Sequence, residues 1–258
     1  MALKILHFDE INSTNVYLYD KMAEKTDISD MVVAASHQTA GRGMDKNRWE
    51  SEAGKNLLFS IALNVNYLAA ENQFKISQAV SVAIVETLSQ FIDNQQLFIK
   101  WPNDIYFGDK KLAGMLIQNT IEGRMMGVSI IGIGLNVNQI GFSKDIPNPI
   151  SIKQITGKDF NLENLLNLLI TNIKNAVESL RLVTNQEDIN QKYVEKSYRF
   201  GIWAEYFYQN KVKILKIKGF DKYGRLLLYD KEGAGIVCDV KELQFFPPSC
   251  RQGSGADV

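Results

Sequence analysis

Residues 72–92 of the chain, NQFKISQAVSVAIVETLSQFI, predict one long helix that buries an apolar face. Apolar side chains recur in this stretch at spacings of three and four, at Ile76, Ala79, Val80, Ala83, Ile84, Leu88, Phe91 and Ile92. The segments that follow, residues 97–99, 112–118 and 125–137, are apolar runs separated by polar turns that contain glycine, which is typical of strands. The sequence therefore predicts a group of strands around one long helix.

The regions on either side extend this prediction to an α+β fold. Weak alternation at 3–8 and short apolar runs at 31–35 and 57–63 predict further strands, and Asn161 is the predicted cap of a second long helix. A shorter helix is expected across residues 186–196. After Gly201 the pattern changes to short strands at 211–218, 225–229 and 235–240. We expect a mixed β-sheet flanked by helices in residues 1–200, a small SH3-like β-barrel domain in 201–248, and a disordered tail in 249–258.

Composition excludes several classes of protein. The 258 residues include 29 Lys plus Arg and 29 Asp plus Glu, so the formal net charge is zero. This balance argues against a surface that grips nucleic acid, because such binding depends on excess positive charge. With two cysteines and two histidines, no Cys/His zinc set can be assembled at the usual spacings. No apolar run reaches the length of a membrane span, and we expect a cytoplasmic protein.

A basic, glycine-containing loop is the first candidate site. Gly41-Arg42-Gly43 leaves backbone N–H groups accessible, and Arg42, Lys46 and Arg48 add positive charge beside Trp49. Such a loop favours an anionic ligand, and the indole offers a large flat face. The alternative is a charged surface loop with a tryptophan packed beneath it.

Two further segments follow strands or begin them. Lys100-Trp101-Pro102-Asn103-Asp104 comes directly after an apolar strand, where a lysine and a carboxylate could bind a phosphate and orient Mg²⁺ or an incoming amine. A structural turn with an exposed Lys–Asp pair is the alternative. Lys111 stands at a strand entrance, and Gly114 inside the same strand indicates a close approach by backbone or ligand.

Residues 132–138, GIGLNVN, have only part of a dinucleotide-binding pattern. Val137 stands where the third glycine should be, and the glycines end a strand instead of opening a helix. The usual P-loop motif is also missing from the sequence. The paired glycines instead predict a strand surface free of side chains, on which something flat can lie.

In this order the segments resemble the biotin protein ligase family. The matching stretches are Ser13-Thr14-Asn15, Gln38 to Gly43 with Trp49, Lys100 to Asp104, Lys111 to Gly114, and Gly132 to Asn138. The resemblance runs through the first 140 residues and continues over 151–166, while the last 60 residues match only as a small β domain. It implies a two-step ligase reaction, in which biotin and MgATP give biotinyl-5′-adenylate and a lysine of a carboxylase carrier domain then takes the biotin.

The resemblance also implies roles for individual residues. Arg42, Lys111 and Asp104 would be catalytic, with Asp104 near the acceptor lysine. The biotin pocket would comprise Ser13, Thr14, Asn15, Gln38, Arg42, Gly43, Met44, Lys111 and Gly114. ATP and the adenylate would contact Arg42, Arg48, Trp49, Lys100, Asn103, Lys111 and Asn136. No metal ligand is assigned, although Mg²⁺ is expected with ATP.

The basic loop departs from the pattern GRGRxGRxW of many relatives. Met44, Lys46 and Asn47 occupy the second arginine, the inner glycine and the third arginine, which leaves Arg48 to supply charge beside Trp49. We expect a shifted affinity for biotin or adenylate without loss of activity.

Three hypotheses about function remain open at this point. The first is a monofunctional biotin protein ligase, because Ser13 stands too near the start for the DNA-binding segment of the bifunctional members; a homodimer is compatible with it. The second is a lipoate-type ligase of the same superfamily, although we find no RRxxGGGxVxxDxGN-like segment. The third is a non-catalytic module that binds biotin or another anion.

Overall fold

The computed structural model describes residues 3–44 and 48–246, and the chain forms two compact units, residues 1–198 and 199–258. The expected tail at 249–258 lies outside the described residues, as do Lys46 and Asn47 of the basic loop. None of the helices in the described ranges is long and apolar enough to cross a membrane.

The larger unit is built on a seven-stranded mixed sheet. Its strands are β1 (Lys4–Ile11), β2 (Met31–Gln38), β3 (Leu57–Asn64), β4 (Leu97–Lys100), β5 (Asp104–Phe107), β6 (Lys110–Glu122) and β7 (Met125–Leu135). They lie in the order β1-β2-β3-β7-β6-β5-β4, with β1 and β2 parallel and every other pair antiparallel. The long strands β6 and β7 therefore lie near the middle of the sheet.

In the part of the chain that the structure describes, five α-helices accompany this sheet. They are α1 (Thr14–Ala23), α2 (Phe74–Leu88), α3 (Ile152–Thr156), α4 (Leu162–Ser179) and α5 (Val183–Glu195). The long helix predicted across 72–92 is confirmed as α2, which is buried along most of its length and ends four residues early. The predicted cap of α4 is confirmed, because the Asn161 side chain accepts a hydrogen bond from the backbone N–H of Asn164 at 2.9 Å.

The helices cover opposite faces of the sheet. Leu18 of α1 is fully buried and belongs to a cluster with Val33 and Ala62 on one face. On the other face, the hydroxyl of Ser81 in α2 lies 3.9 Å from the sulfur of Met115. Because side chains alternate along a strand, residues two apart share a face, and the even-numbered positions of β7 near its end face the α1 side.

Residues 199–246 form a separate antiparallel sheet. Its strands are β8 (Trp203–Tyr208), β9 (Lys211–Phe220), β10 (Leu226–Tyr229), β11 (Gly235–Cys238) and β12 (Leu243–Phe245), in the order β11-β10-β9-β8-β12. Tyr206, Leu215 and Leu226 are fully buried on its inner side. The predicted α+β class and the small β unit are confirmed. Within the described residues the hydrogen-bonded order does not close into a ring, so the expected barrel is present as an open sheet.

Candidate functional site

One cavity on the α1 face of the larger sheet brings together most of the residues singled out from the sequence. The predicted residues on its walls are Ser13, Thr14, Asn15, Gln38, Arg42, Gly43, Met44, Arg48, Trp49, Asn103, Asp104, Lys111 and Gly114. The wall also includes Met115, Leu116, Gly132, Ile133 and Gly134. These residues come from the start of α1, the end of β2, the basic loop and the strands β5 to β7. We call this space the acid pocket, because its basic side chains suit an acid as ligand.

Polar side chains at the start of α1 form one end of the acid pocket. Ser13, Thr14 and Asn15 are each at most 4% exposed. The backbone N–H of Thr14 donates to Oε1 of Gln38 at 2.8 Å, and Nδ2 of Asn15 donates to the carbonyl of Leu116 at 3.1 Å. Ser13 precedes the helix, but its hydroxyl makes no capping hydrogen bond. This end of the pocket therefore offers both donors and acceptors in a setting largely shielded from water.

Sequence reasoning missed Ser60, which lies behind this end of the pocket and is not on its wall. Its hydroxyl oxygen lies 2.6 Å from Oγ1 of Thr14 and donates to Oδ1 of Asn15 at 2.5 Å. Ser60 is fully buried on β3. A signal was present in the sequence, because Ser60 is the single polar residue in the apolar run 57–63, LLFSIAL. A buried hydroxyl requires a hydrogen-bond partner, so a lone serine in such a run predicts a polar contact in the interior.

The cationic end of the pocket contains an ion pair that joins two separately predicted residues. Nζ of Lys111 lies 2.7 Å from Oδ1 of Asp104, and the two side chains are 29% and 18% exposed. The pairing follows from strand register, because Asp104 of β5 lies opposite Gly114 of β6, three residues beyond Lys111. The backbone of Lys111 is fixed in turn by the N–H donating to the carbonyl of Asn148 at 2.7 Å.

The basic loop closes on itself beside this ion pair. Arg42 and Arg48 form an isolated β-bridge, and the backbone N–H of Trp49 donates to the carbonyl of Gly41 at 3.1 Å. Both guanidinium side chains are exposed. Two arginines and a lysine therefore face a pocket with one acidic side chain on its described walls, Asp104, which favours an anionic ligand.

Of the paired glycines predicted to leave a bare strand surface, Gly134 lies under the indole of Trp49, and Gly132 lies against the side-chain amide of Asn15. Gly114, for which a close approach was predicted, also faces the indole. Gly114 and Gly134 are direct neighbours across β6 and β7. A Cβ at Gly114 would come within 3.0 Å of the Trp49 ring, and one at Gly134 would overlap that ring. Nε1 of Trp49 is buried and has no hydrogen-bond partner among the described residues. The ring is thus held by close packing, with one donor left unused.

A second cavity adjoins the acid pocket, and we call it the adjoining pocket. It shares Arg48, Trp49 and Lys111 with the acid pocket and adds Asn136. Its remaining walls are Glu50, Phe142, Asp145, Ile146, Pro147 and Pro149. An apolar wall beside cations suits a flat heterocycle that carries phosphate.

Lys100 lies outside both pockets. Its Nζ lies 2.8 Å from the hydroxyl oxygen of Tyr106 and 4.6 Å from the centre of that ring. Burial first, and then the charge of Asp104, raise the pKa of Tyr106 well above its usual range, so the phenol stays protonated. The described residues contain no group of three or more His, Cys, Asp or Glu side chains that could hold a metal ion.

Comparisons with known proteins agree with this arrangement. The profile of the biotin/lipoate A/B protein ligase family matches residues 7–136, a segment that contains every predicted site residue. The bifunctional ligase/repressor BirA of Escherichia coli is 30% identical over 169 residues, which are 65% of this chain and 51% of that protein. The biotin--[acetyl-CoA-carboxylase] ligase of Mycobacterium tuberculosis is 30% identical over 132 residues, 50% of this chain and 48% of that protein.

A solved structure shows the same fold. The biotin protein ligase from Aquifex aeolicus in complex with biotin and ATP matches with a TM-score of 0.74 and 23% sequence identity, covering 93% of this chain and 97% of that one. The chain spans about half the length of the two curated relatives described above.

Proposed function

The chain belongs to the biotin/lipoate A/B protein ligase family, and we propose that it activates biotin with ATP as biotinyl-5′-adenylate and transfers the biotinyl group to a lysine of a carboxyl carrier domain. One observation carries this proposal: Lys111 and Trp49 line both the acid pocket and the adjoining pocket. An acid in one pocket and a nucleotide in the other would meet at Lys111. The reaction requires such a meeting of two anions.

The buried polar end of the acid pocket supports biotin as the acid. The ureido ring of biotin carries two N–H donors and one carbonyl acceptor. Thr14, Asn15 and Gln38 supply hydrogen-bonding groups of both kinds at that end. The dithiolane ring of lipoate has no N–H group, and it would leave buried polar groups without partners. This difference favours biotin over the lipoate-type alternative.

Activation joins the biotin carboxylate to the nucleotide. A carboxylate oxygen attacks the α-phosphorus of ATP, the bond to pyrophosphate breaks, and the products are the mixed anhydride and pyrophosphate. Lys111, Arg42 and Arg48 place positive charge where negative charge accumulates during this step. Mg²⁺ bound with ATP would neutralise charge on the phosphates, and Asp145 and Glu50 of the adjoining pocket are the carboxylates that would hold such an ion.

Transfer begins when the acceptor amine attacks the activated carbonyl and AMP leaves. The amine must lose a proton, and a nearby carboxylate can orient it and accept that proton. Asp104 lies in the acid pocket and is ion-paired with Lys111. When the phosphate of the adenylate draws Lys111 to itself, Asp104 becomes available to the amine. The same two side chains thereby serve both half-reactions.

Mass spectrometry of the reaction mixture tests the proposal. The purified protein is incubated with MgATP and biotin, lipoate or no acid, and the acyl-adenylate is measured. We expect an adenylate with biotin. An adenylate with lipoate alone would favour the lipoate-type ligase, and none with either acid from folded protein would favour a non-catalytic binding module. The carrier domain as partner, the homodimer and the monofunctional type stay predictions.

A further inference from the structure

We infer that Ser60 sets the hydrogen-bond polarity of the acid pocket, by accepting a hydrogen bond from the Thr14 hydroxyl so that Thr14 and Gln38 both present free acceptors to the ligand. The inference rests on the proposed function, because it concerns recognition of the ureido ring. Ser60 is not on the pocket wall, so it acts as a positioning residue. It is separated from Thr14 and Asn15 by 46 and 45 residues of sequence.

The sheet brings Ser60 to this place through one strand pairing. Ser60 of β3 lies opposite Gly132 of β7. A Cβ at Gly132 would overlap the side-chain amide of Asn15, so the missing side chain leaves the space that this amide occupies. Asn15 is therefore within reach of Ser60, and Nδ2 of Asn15 is directed to the carbonyl of Leu116 at 3.1 Å. Oδ1 of Asn15 then faces Ser60 as an acceptor.

The protons in this network can be assigned from the number of donors. Oδ1 of Asn15 can only accept, so the Ser60 proton points to Asn15 at 2.5 Å. The 2.6 Å contact between the two hydroxyls then requires the Thr14 proton. A longer contact of 3.1 Å joins Oγ1 of Thr14 to Oε1 of Gln38, and it loses the competition for that proton. Each hydroxyl therefore donates to the next group: Thr14 donates to Ser60, and Ser60 donates to Asn15.

This direction determines what remains for a ligand. The Thr14 hydroxyl donates its one hydrogen bond to Ser60, and Oγ1 of Thr14 keeps its lone pairs. Oε1 of Gln38 accepts the backbone N–H of Thr14 at 2.8 Å and keeps its second lone pair. The pocket thus has two acceptors for the two N–H groups of a cyclic urea. Without the Ser60 hydroxyl, the Thr14 proton turns to Gln38 and occupies one of them.

Calorimetric titration of biotin tests the inference. In Ser60→Ala we expect the dissociation constant to rise about fivefold to tenfold, the value of one hydrogen bond. The turnover number for adenylation at saturating biotin is expected to stay within about twofold of the parent protein, because the reacting atoms lie at Lys111. Ser81→Ala is the matched control, since Ser81 is also fully buried but donates to the carbonyl of Ser77 on the far face.

A double-mutant cycle separates positioning from a general structural effect. In a Thr14→Val background, Ser60→Ala should change biotin binding by less than about twofold, since no proton competes for Gln38. An equal loss in both backgrounds, or an unchanged dissociation constant in Ser60→Ala, would overturn the inference. If Ser60→Ala does not fold, Ser60→Cys places a slightly larger side chain that is a weak donor and a weak acceptor, and it carries the same expectation. Failure of the parent protein to bind biotin would instead overturn the proposed function.

Discussion

Replacing Lys111 with alanine removes one of the two cations that line both pockets, the other being Arg48. Nζ of Lys111 is 2.7 Å from Asp104 and 5.6 Å from the centre of the Trp49 ring, so it is held by an ion pair and an aromatic face. In the proposed reaction this ammonium group contacts the biotin carboxylate and then the phosphate. Alanine leaves the backbone of β6 in place, and the loss is confined to the side chain.

The structure sets the size of the expected effect. A hydrogen bond to a charged group contributes about 1.5–3 kcal/mol. Because about 1.4 kcal/mol corresponds to a factor of ten in rate, adenylation should slow by about tenfold to a hundredfold. Single-turnover rapid quench at saturating biotin and MgATP measures this rate directly. Lys110→Ala is the matched control, since Lys110 precedes Lys111 on β6 and is exposed.

The result that refutes this reasoning is an adenylation rate for Lys111→Ala within about threefold of the rate for Lys110→Ala. Loss of stability is a separate matter, because the variant leaves Asp104 mostly buried without its cation. Adding Asp104→Asn to Lys111→Ala removes that uncompensated charge. We expect the double variant to regain thermal stability and to remain slow in adenylation.

Three further predictions concern Asp104, Gly134 and Cys238. Asp104→Ala should slow transfer from preformed biotinyl-adenylate to a carrier domain more than it slows adenylation, and equal losses in the two half-reactions would argue against its role at the acceptor amine. Gly134→Ala adds a methyl group that overlaps the Trp49 ring and displaces it, so biotin and ATP should bind at least about tenfold more weakly in a calorimetric titration. Gly141→Ala is the control, because no atom lies within 4 Å of its added Cβ, and it should bind both ligands normally. Cys238 is fully buried, and burial raises the pKa of its thiol to about 11. In a variant whose other cysteine is replaced by serine, a disulfide reagent should therefore label Cys238 only when the 199–258 unit unfolds. Rapid labelling of the folded protein at pH 8 would contradict this.

Periodic patterns of side chains were sufficient to predict the main elements of the fold. The helix α2 is apolar around most of its circumference, and its spacing of three and four identifies it without any other information. The α+β class follows from the alternation of such helices with apolar runs. The strand β8 was missed because Glu205 and the consecutive aromatic residues after it do not alternate between apolar and polar side chains in Trp203–Tyr208.

The candidate site was predictable in its members but not in its contacts. Each motif could be recognised alone, yet the ion pair between Lys111 and Asp104 depends on the register of β5 against β6, which no local pattern records. Ser60 escaped for a related reason, because its partners lie more than 40 residues away and are reached only through β3, β7 and the start of α1. Lys100 shows the reverse, since its motif was recognised while its Nζ lies at Tyr106 outside both pockets.

The glycines of β6 and β7 connect the fold to the proposed chemistry. A central strand pair normally presents side chains on both faces, which would keep any flat group several ångströms from the backbone. Gly114 and Gly134, paired across the strands, let the Trp49 ring lie directly on the sheet, and Lys111 lies next to that ring. Trp49 and Lys111 therefore line both the acid pocket and the adjoining pocket. An acid and a nucleotide can approach each other only where their pockets adjoin, so we expect the carboxylate and the α-phosphorus to meet beside Lys111.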